Sequence, residues 1–254
     1  VYNTPDLQIE HAEEAGWIPF SSIIKIAKKM EEFLMNESLY VTVVTKSYIN
    51  HFIEHRGQSI KKIKFFPNGA NTKELYQIKK DYAYMNKFGI KDHNLKIFTY
   101  AGTHAPYQGL ETIIYAADLL KDRSDIALLM AGKGPESKNL KNLSKSMGIK
   151  NLHFINSPFE EMKELMSITY ASIVVLKDKP TARKQRLSKV IPPLACGVPV
   201  IFAGFGESAD MLNENNCGIT VEPDNPEKLS KGILKICENE TLRNNLGNNG
   251  FLYV

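Results

Sequence analysis

The chain has 254 residues, 43% of them hydrophobic and 24% charged, with a formal net charge of +4 at pH 7. That apolar content buries a real core and excludes a disordered chain, and the length suits one large domain or two smaller ones. The mild positive charge permits an anionic substrate or an anionic membrane surface without requiring nucleic acid, and is equally what an ordinary solvated surface carries.

In chain order, the first periodic segment is 23–34. Ile23, Ile26, Ala27, Met30, Phe33 and Leu34 recur there at helical spacing, and Lys25, Lys28, Lys29 and Glu32 fall largely on the other face. Residues 40–45 are β-branched and read as a buried strand. Residues 47–55 read as a helix stopped by Gly57, and 60–66 as an alternating strand running into the turn Pro67-Asn68-Gly69. From 70 to 94 the chain is polar, with one candidate helix at 76–88, and reads as a linker. A steady alternation follows. Strands are expected at 96–101, 126–131, 152–155, 171–176, 199–202 and 218–221. Helices follow them at 108–120, 137–147, 159–167, 188–195, 207–213 and 226–238, with a last one at 240–248. Short apolar strands alternating with helices predict a parallel sheet covered on both faces. The start at Val1 and the end at Val254 without a clear cap read as a fragment lacking an N-terminal portion.

Ligands of open parallel sheets bind outside the carboxyl ends of the strands, which singles out five loops. In the first, Gly102 admits a ligand to the backbone, and Thr103 and His104 can donate to phosphate oxygens; a tight turn using glycine for geometry is the other reading. In the second, Gly132-Lys133-Gly134-Pro135, a lone GxG is weak and Pro135 lacks an N–H. That loop reads as mostly structural, with Lys133 at a pocket edge. In the third, Asn156 either reads a nucleobase edge or belongs to a plain helix cap. The fourth carries Arg183, Lys184, Arg186 and then Ser188-Lys189. Ser188 is a competent N-cap, and Lys189 in a first turn would be repelled by the helix dipole unless an anion sat there. A solvated loop is the alternative. In the fifth, Gly204 and Gly206 bring a ligand close, and Glu207 either accepts from sugar or ribose hydroxyls or stabilises a helix start. The histidines show no metal-ligand spacing, and His51 and His55 read as a surface pair. Cys196, Cys217 and Cys237 lack CxxC spacing, which speaks against a zinc site and for a reducing compartment. No apolar run approaches the roughly 20 residues of a membrane span. There is no complete Rossmann fingerprint, no Walker motif and no GxSxG elbow.

Taken in order, several motifs resemble glycosyltransferase family 4. They are Pro67-Asn68-Gly69; Tyr100-Ala101-Gly102-Thr103-His104 with Gln108-Gly109-Leu110; Ala131-Gly132-Lys133-Gly134-Pro135; Ser188-Lys189; and Leu194-Ala195-Cys196-Gly197-Val198-Pro199. Gly206-Glu207 and Asn216-Cys217-Gly218-Ile219 with Pro223-Asp224-Asn225-Pro226 extend the likeness. It is strongest to bacterial amino-sugar transferases that build surface polysaccharides. The resemblance implies an α/β, GT-B-like architecture of two Rossmann-like lobes facing a cleft. The N-terminal lobe would be incomplete, and the C-terminal lobe a parallel sheet with helices on both faces. Residues 1–66 would be the latter part of an acceptor-binding lobe, 67–95 an interlobe linker, and 96–254 the nucleotide-sugar donor lobe.

It also implies a retaining, metal-independent transferase in which cations and backbone N–H groups receive the departing diphosphate. On that basis Lys189 and Arg186 are the expected catalytic residues. Gly102, Thr103, His104, Lys133, Asn156, Ser188, Gly206 and Glu207 are the expected donor-binding residues, with no metal and no cofactor beyond a UDP-sugar donor. Two glutamates usual in the family are replaced by Lys184 and Pro192, and Gln108 stands near the place of its usual first-loop basic residue. A subgroup in which Glu207 takes over hydroxyl binding accounts for this, as does an inactive transferase. The expected activity is transfer of a sugar, an N-acetylated hexose, from a UDP-sugar to a lipid-linked or glycan acceptor in surface polysaccharide synthesis. Rivals are a non-catalytic nucleotide- or partner-binding module and a nucleotide-sugar epimerase. The expected location is cytoplasmic; the 23–34 helix reads as core-facing through Ile23, Ile26, Met30 and Phe33 with a solvated lysine side, and peripheral contact of this segment with the inner membrane face is the alternative.

Overall fold

A computed structural model describes residues 1–254. The chain divides into two compact units, Val1–Asn68 with Lys179–Arg186, and Gly69–Asp178 with Leu187–Val254.

The first unit runs β1 (Tyr2–Thr4), α1 (Gln8–Glu14), α2 (Ser21–Glu37), β2 (Val41–Val43), α3 (Lys46–Arg56) and β3 (Ile63–Phe65). Its three strands are parallel in the order β1-β2-β3. Val41, Val43 and Ile63 pack with Leu7, Met35, Tyr48 and Phe52 into its core. Helix α3 starts because the Thr45 hydroxyl accepts from the Tyr48 amide at 3.0 Å, and stops because Gly57 turns left-handed at φ 62°. β1 and α1 have no counterpart in the sequence reading. They are short, and most of α1 is polar. Helix α2 forms where the periodicity places it but buries the other face. Ile24, Glu31 and Met35 are covered, while Ile23, Ile26, Met30, Phe33 and Leu34 are exposed. The choice of face is electrostatic as well as apolar. Arg56 Nε donates to Glu31 at 2.8 Å and draws that carboxylate inward.

The second unit opens with α4 (Tyr82–Lys87), shorter than the helix expected at 76–88 because Asp81 caps it, accepting from the Tyr84 amide at 3.0 Å. It continues β4 (Lys96–Ala101), α5 (Glu111–Leu119), β5 (Ile126–Ala131), α6 (Ser137–Ser146), β6 (Leu152–Ile155), α7 (Met162–Ile168), β7 (Ala171–Val175), α8 (Ile191–Ala195), β8 (Val200–Ala203), α9 (Glu207–Glu214), β9 (Gly218–Val221), α10 (Pro226–Cys237) and α11 (Glu240–Tyr253). The six strands are all parallel, in the order β6-β5-β4-β7-β8-β9. One apolar layer joins Phe98, Ile113, Leu128, Met130 and Ile233, and another joins Ile97, Leu129, Leu165 and Ala195, so both faces are covered. Each of the larger of these side chains contributes roughly 1.5–3 kcal/mol on burial. Leu75, Tyr84, Met85 and Ile90, from the stretch read as a linker, are buried in the second layer. The connections run outward from β4 to one side and from β7 to the other. The strand order therefore reverses between β4 and β7, the place where parallel sheets hold their ligands.

Two expected helices are broken at their starts. The segment 108–120 begins as a 3-10 turn, Pro106–Gln108, and Gly109 at φ 73° interrupts it before α5. The segment 188–195 is a 3-10 turn, Ser188–Val190, followed by the five-residue α8. Pro192 and Pro193 lack the N–H groups that would reach back to Ser188 and Lys189, so an α-helix cannot start at Ser188.

Candidate functional site

The loops after β4 and β7 bring one lysine to the switch point. Lys189 Nζ donates to Gln108 Oε1 at 2.7 Å and to the Tyr100 hydroxyl at 3.4 Å, and lies 5.4 Å from the centre of the Tyr100 ring. A Cβ placed on Gly102 would stand 3.5 Å from Lys189 Nζ. Tyr100 in turn donates its hydroxyl to Thr103 O at 2.7 Å, which shapes the loop over the lysine. Every partner of the ammonium is neutral, and burial pushes its pKa down from 10.5 to about 8. A cation held among dipoles with no counter-ion is a seat that an anion completes.

The glycines of the second loop are packing residues. A Cβ on Gly132, at φ 136°, would fall 2.1 Å from Gly102 O, and one on Gly134 would fall 2.4 Å from His104 O. The Gly102 and His104 amides donate to Ala131 O at 3.0 Å and Lys133 O at 3.1 Å, so the first two loops are laced together. Lys133 is exposed at their edge.

His104 is buried rather than presented to solvent. Its Nδ1 lies 2.9 Å from Ser137 Oγ, which accepts from the Gly134 amide at 2.8 Å. Burial and then the nearby Lys141 lower its pKa, so it brings no positive charge near neutral pH. When the Ser137 hydroxyl donates to Nδ1, the ring hydrogen sits on Nε2, a buried atom with no protein partner.

The remaining expected residues are dispersed. Thr103 and Asn156 are exposed at the ends of β4 and β6. Ser188 is exposed inside the 3-10 turn and is not an N-cap; Leu187 holds that position, and its amide donates to Ser208 Oγ at 3.0 Å. This bond ties the start of the turn to the start of α9, where Gly206 (φ 82°) precedes the partly buried Glu207. The cationic loop is divided. Arg183, Lys184 and Arg186 belong to the first unit and Lys189 to the second. Lys184 Nζ lies 3.3 Å from His51 Nδ1. His51 is not part of a surface pair but is 5% exposed, with Glu10 Oε1 3.2 Å from its Nε2.

Sequence reasoning missed Tyr100 as a site residue, and noted Gln108 only as a substitution. Lys177, where the basic loop begins, pairs with Glu111 at 3.1 Å, and Asp224 Oδ1 would lie 2.9 Å from a Cβ on Gly109. The left-handed Gly109, just before the helix, was the available signal for that close approach. No group of three or more His, Cys, Asp or Glu side chains is placed to hold a metal ion.

Residues 85–252 match the family described as glycosyl transferases, group 1. The chain belongs to that family. An uncharacterized glycosyltransferase of Methanocaldococcus jannaschii is 24% identical over 254 residues, covering 96% of this chain and 63% of its own. The putative colanic acid biosynthesis glycosyl transferase WcaI of Escherichia coli is 28% identical over 217 residues, 83% of this chain and 52% of its own. Among solved structures, Anabaena HepE in complex with UDP superposes with a TM-score of 0.80 at 17% identity, covering 99% of this chain and 66% of HepE. WaaG, a glycosyltransferase involved in lipopolysaccharide biosynthesis, gives 0.70 at 21% identity over 84% of this chain and 57% of WaaG. The chain thus spans little more than half to two thirds of these relatives, and the likeness confirms the two-lobed GT-B-like architecture expected from its motifs.

Proposed function

We propose that this chain carries the donor site of a transferase that takes a sugar from a UDP-sugar, with Lys189 receiving the diphosphate. The observation that carries this is Lys189 itself, a desolvated ammonium among neutral partners beside Gly102, at the point where the strand order reverses. Thr103, Lys133, Asn156, Ser188 and Glu207 of the second unit complete the donor contacts on this reading, with buried His104 shaping the first loop from behind. The uridine nucleotide is favoured because the HepE structures hold UDP, one of them with glucose as well. The reaction is read as retaining and metal-independent, the sugar as an N-acetylated hexose and the product as a surface polysaccharide, following the resemblance in the motifs. A thermal-shift screen tests the proposal. UDP should raise the melting temperature more than ADP or GDP, because a ligand that binds only the folded state stabilises it. No response to any uridine nucleotide contradicts it.

The acceptor is read as lipid-linked or a glycan, met at the cytoplasmic membrane face. Helix α2 supports the membrane part: exposed Ile23, Ile26, Met30 and Phe33 run beside exposed Lys25 and Lys29, the chemistry of a helix lying on anionic lipid. No helix is long and apolar enough to cross a membrane. Pelleting with phosphatidylglycerol vesicles should be lost in the Ile26→Ser, Phe33→Ser variant; unchanged pelleting rejects this surface.

One observation favours a second reading, a non-catalytic nucleotide-binding module. Lys184 is bonded to His51 and Pro192 lies within α8, so neither position offers a carboxylate to a sugar. Transfer from, or hydrolysis of, a UDP-sugar separates the two readings.

A further inference from the structure

We propose that His11 and His51 are positioning residues for the cationic loop 179–186, holding it through hydrogen bonds that only their uncharged imidazoles can accept. This anchoring lies wholly within the first unit and does not rest on the donor site proposed above.

The loop contains one 3-10 turn, Ala182–Lys184, in which the amides of Arg183, Lys184 and Gln185 donate to the carbonyls of Lys179, Thr181 and Ala182 at 3.0, 3.1 and 3.1 Å. Its side chains are tied to the first unit at three points. Thr181 Oγ1 donates to Glu14, Lys184 Nζ meets His51 Nδ1 at 3.3 Å, and Gln185 Nε2 meets His11 Nε2 at 2.9 Å and Asp6 Oδ1 at 3.1 Å. Asp6 also accepts from the Tyr48 hydroxyl at 3.0 Å, which fixes it in place.

These partners dictate the proton positions. A lysine ammonium only donates, so His51 Nδ1 accepts and the His51 hydrogen is on Nε2, facing Glu10 Oε1. Gln185 must present its nitrogen, because the reversed amide would set a carbonyl oxygen against the Asp6 carboxylate. His11 Nε2 therefore accepts, and the His11 hydrogen is on Nδ1, 3.4 Å from Asp6 Oδ1. Each imidazole thus has an acid on one side and a loop donor on the other. A proton added to His11 turns that acceptor into a donor aimed at a donor.

The charges around His11 set where this happens. His11 faces Asp6, Glu10 and Glu14 together with the loop's Gln185. Burial pulls its pKa down, but the bond and charge of Asp6, followed by Glu14 and Glu10, carry it above the usual histidine value. His51 faces Glu10 of α1, Glu31 of α2, Lys184 of the loop, and His55 and Arg56 of its own helix. A raised histidine pKa stabilises the folded unit at low pH and stops doing so as pH rises through it. Acidification therefore keeps the first unit folded through the His11–Asp6 pair while it releases Gln185 and the turn behind it.

Hydrogen–deuterium exchange of the full chain tests this at the amides of Arg183, Lys184 and Gln185, corrected for the intrinsic pH dependence of exchange. Protection should fall about tenfold between about pH 8 and pH 6, as expected for losing a hydrogen bond that holds the turn in place. In the His11→Gln variant the glutamine oxygen still accepts but does not titrate, so protection should persist at both pH values. In Gln185→Leu, which can donate to neither His11 nor Asp6, protection should be low at both. Wild-type protection that ignores pH, or a fall that survives in the glutamine variant, overturns the proposal. UDP binding measured on the same samples keeps the two readings apart: a pH-responsive loop with no UDP binding contradicts the donor site alone.

Discussion

Lys189 and Gln108 make opposite demands on a carboxylate. Replacing Gln108 by glutamate would give the buried ammonium a charged partner at the 2.7 Å now spanned by the amide oxygen, and would restore the pKa that burial lowers. Gln108→Glu should therefore weaken UDP at least tenfold, because the anion meets a filled and repelling seat, while the protein without nucleotide melts no lower than wild type. Isothermal titration and a melting curve read the two effects. The lysine also sets a pH dependence. Its folded pKa of about 8 lies below its ordinary 10.5, so between those values the folded chain has released a proton that the unfolded chain keeps. Stability from this residue rises with pH across that window. UDP affinity should run the other way, falling about tenfold per pH unit above about pH 8 as the ammonium is lost. Affinity that is flat from pH 7 to pH 10 would mean that Lys189 does not hold the phosphates. At this scale the sequence singled out Lys189 but not its partners. Tyr100 is the penultimate residue of β4, within an apolar strand pattern, and nothing in that pattern distinguishes a hydroxyl turned to a loop from a core aromatic.

Helix and strand positions were legible wherever one period dominated. β6 and β9 appear at the expected residues, and α6, α9 and α10 differ from expectation only at their ends. The failures have local causes. Two adjacent prolines turned the expected helix at Ser188 into a 3-10 turn, and a left-handed Gly109 delayed α5. For α2 the periodicity was right and the buried side was wrong, because a lone glutamate, Glu31, is compensated by Arg56 from a helix more than twenty residues away. Ion pairs of that kind are invisible to a hydrophobic pattern. The GKG segment was read as structural, and its geometry gives a sharp prediction. A methyl group on Gly132 would meet Gly102 O at 2.1 Å in a backbone region that L residues rarely adopt. Gly132→Ala should cost about 2–4 kcal/mol and lower the melting temperature by several degrees. A melting temperature within a degree of wild type would show that the first two loops are not locked together.

For the whole molecule, alternation of strands and helices was enough to anticipate a doubly covered parallel sheet, and the reversal between β4 and β7 then marks the place of the candidate site. The division of the chain was harder to read. Residues 70–94 are polar in composition, yet four of their apolar side chains lie in the second unit's core, and a loop flanked on both sides by that unit belongs to the first. Such long-range assignments depend on tertiary contacts such as Gln185 with His11, which no local window contains. The account rests on one charge in one place. Titration of the full chain with UDP, comparing wild type with Lys189→Met, tests it most directly. Saturable binding in the wild type that weakens at least a hundredfold in the variant, with the fold intact, is the result predicted, the scale expected for losing a charge-assisted phosphate contact. Equal UDP affinity in the two proteins would contradict it.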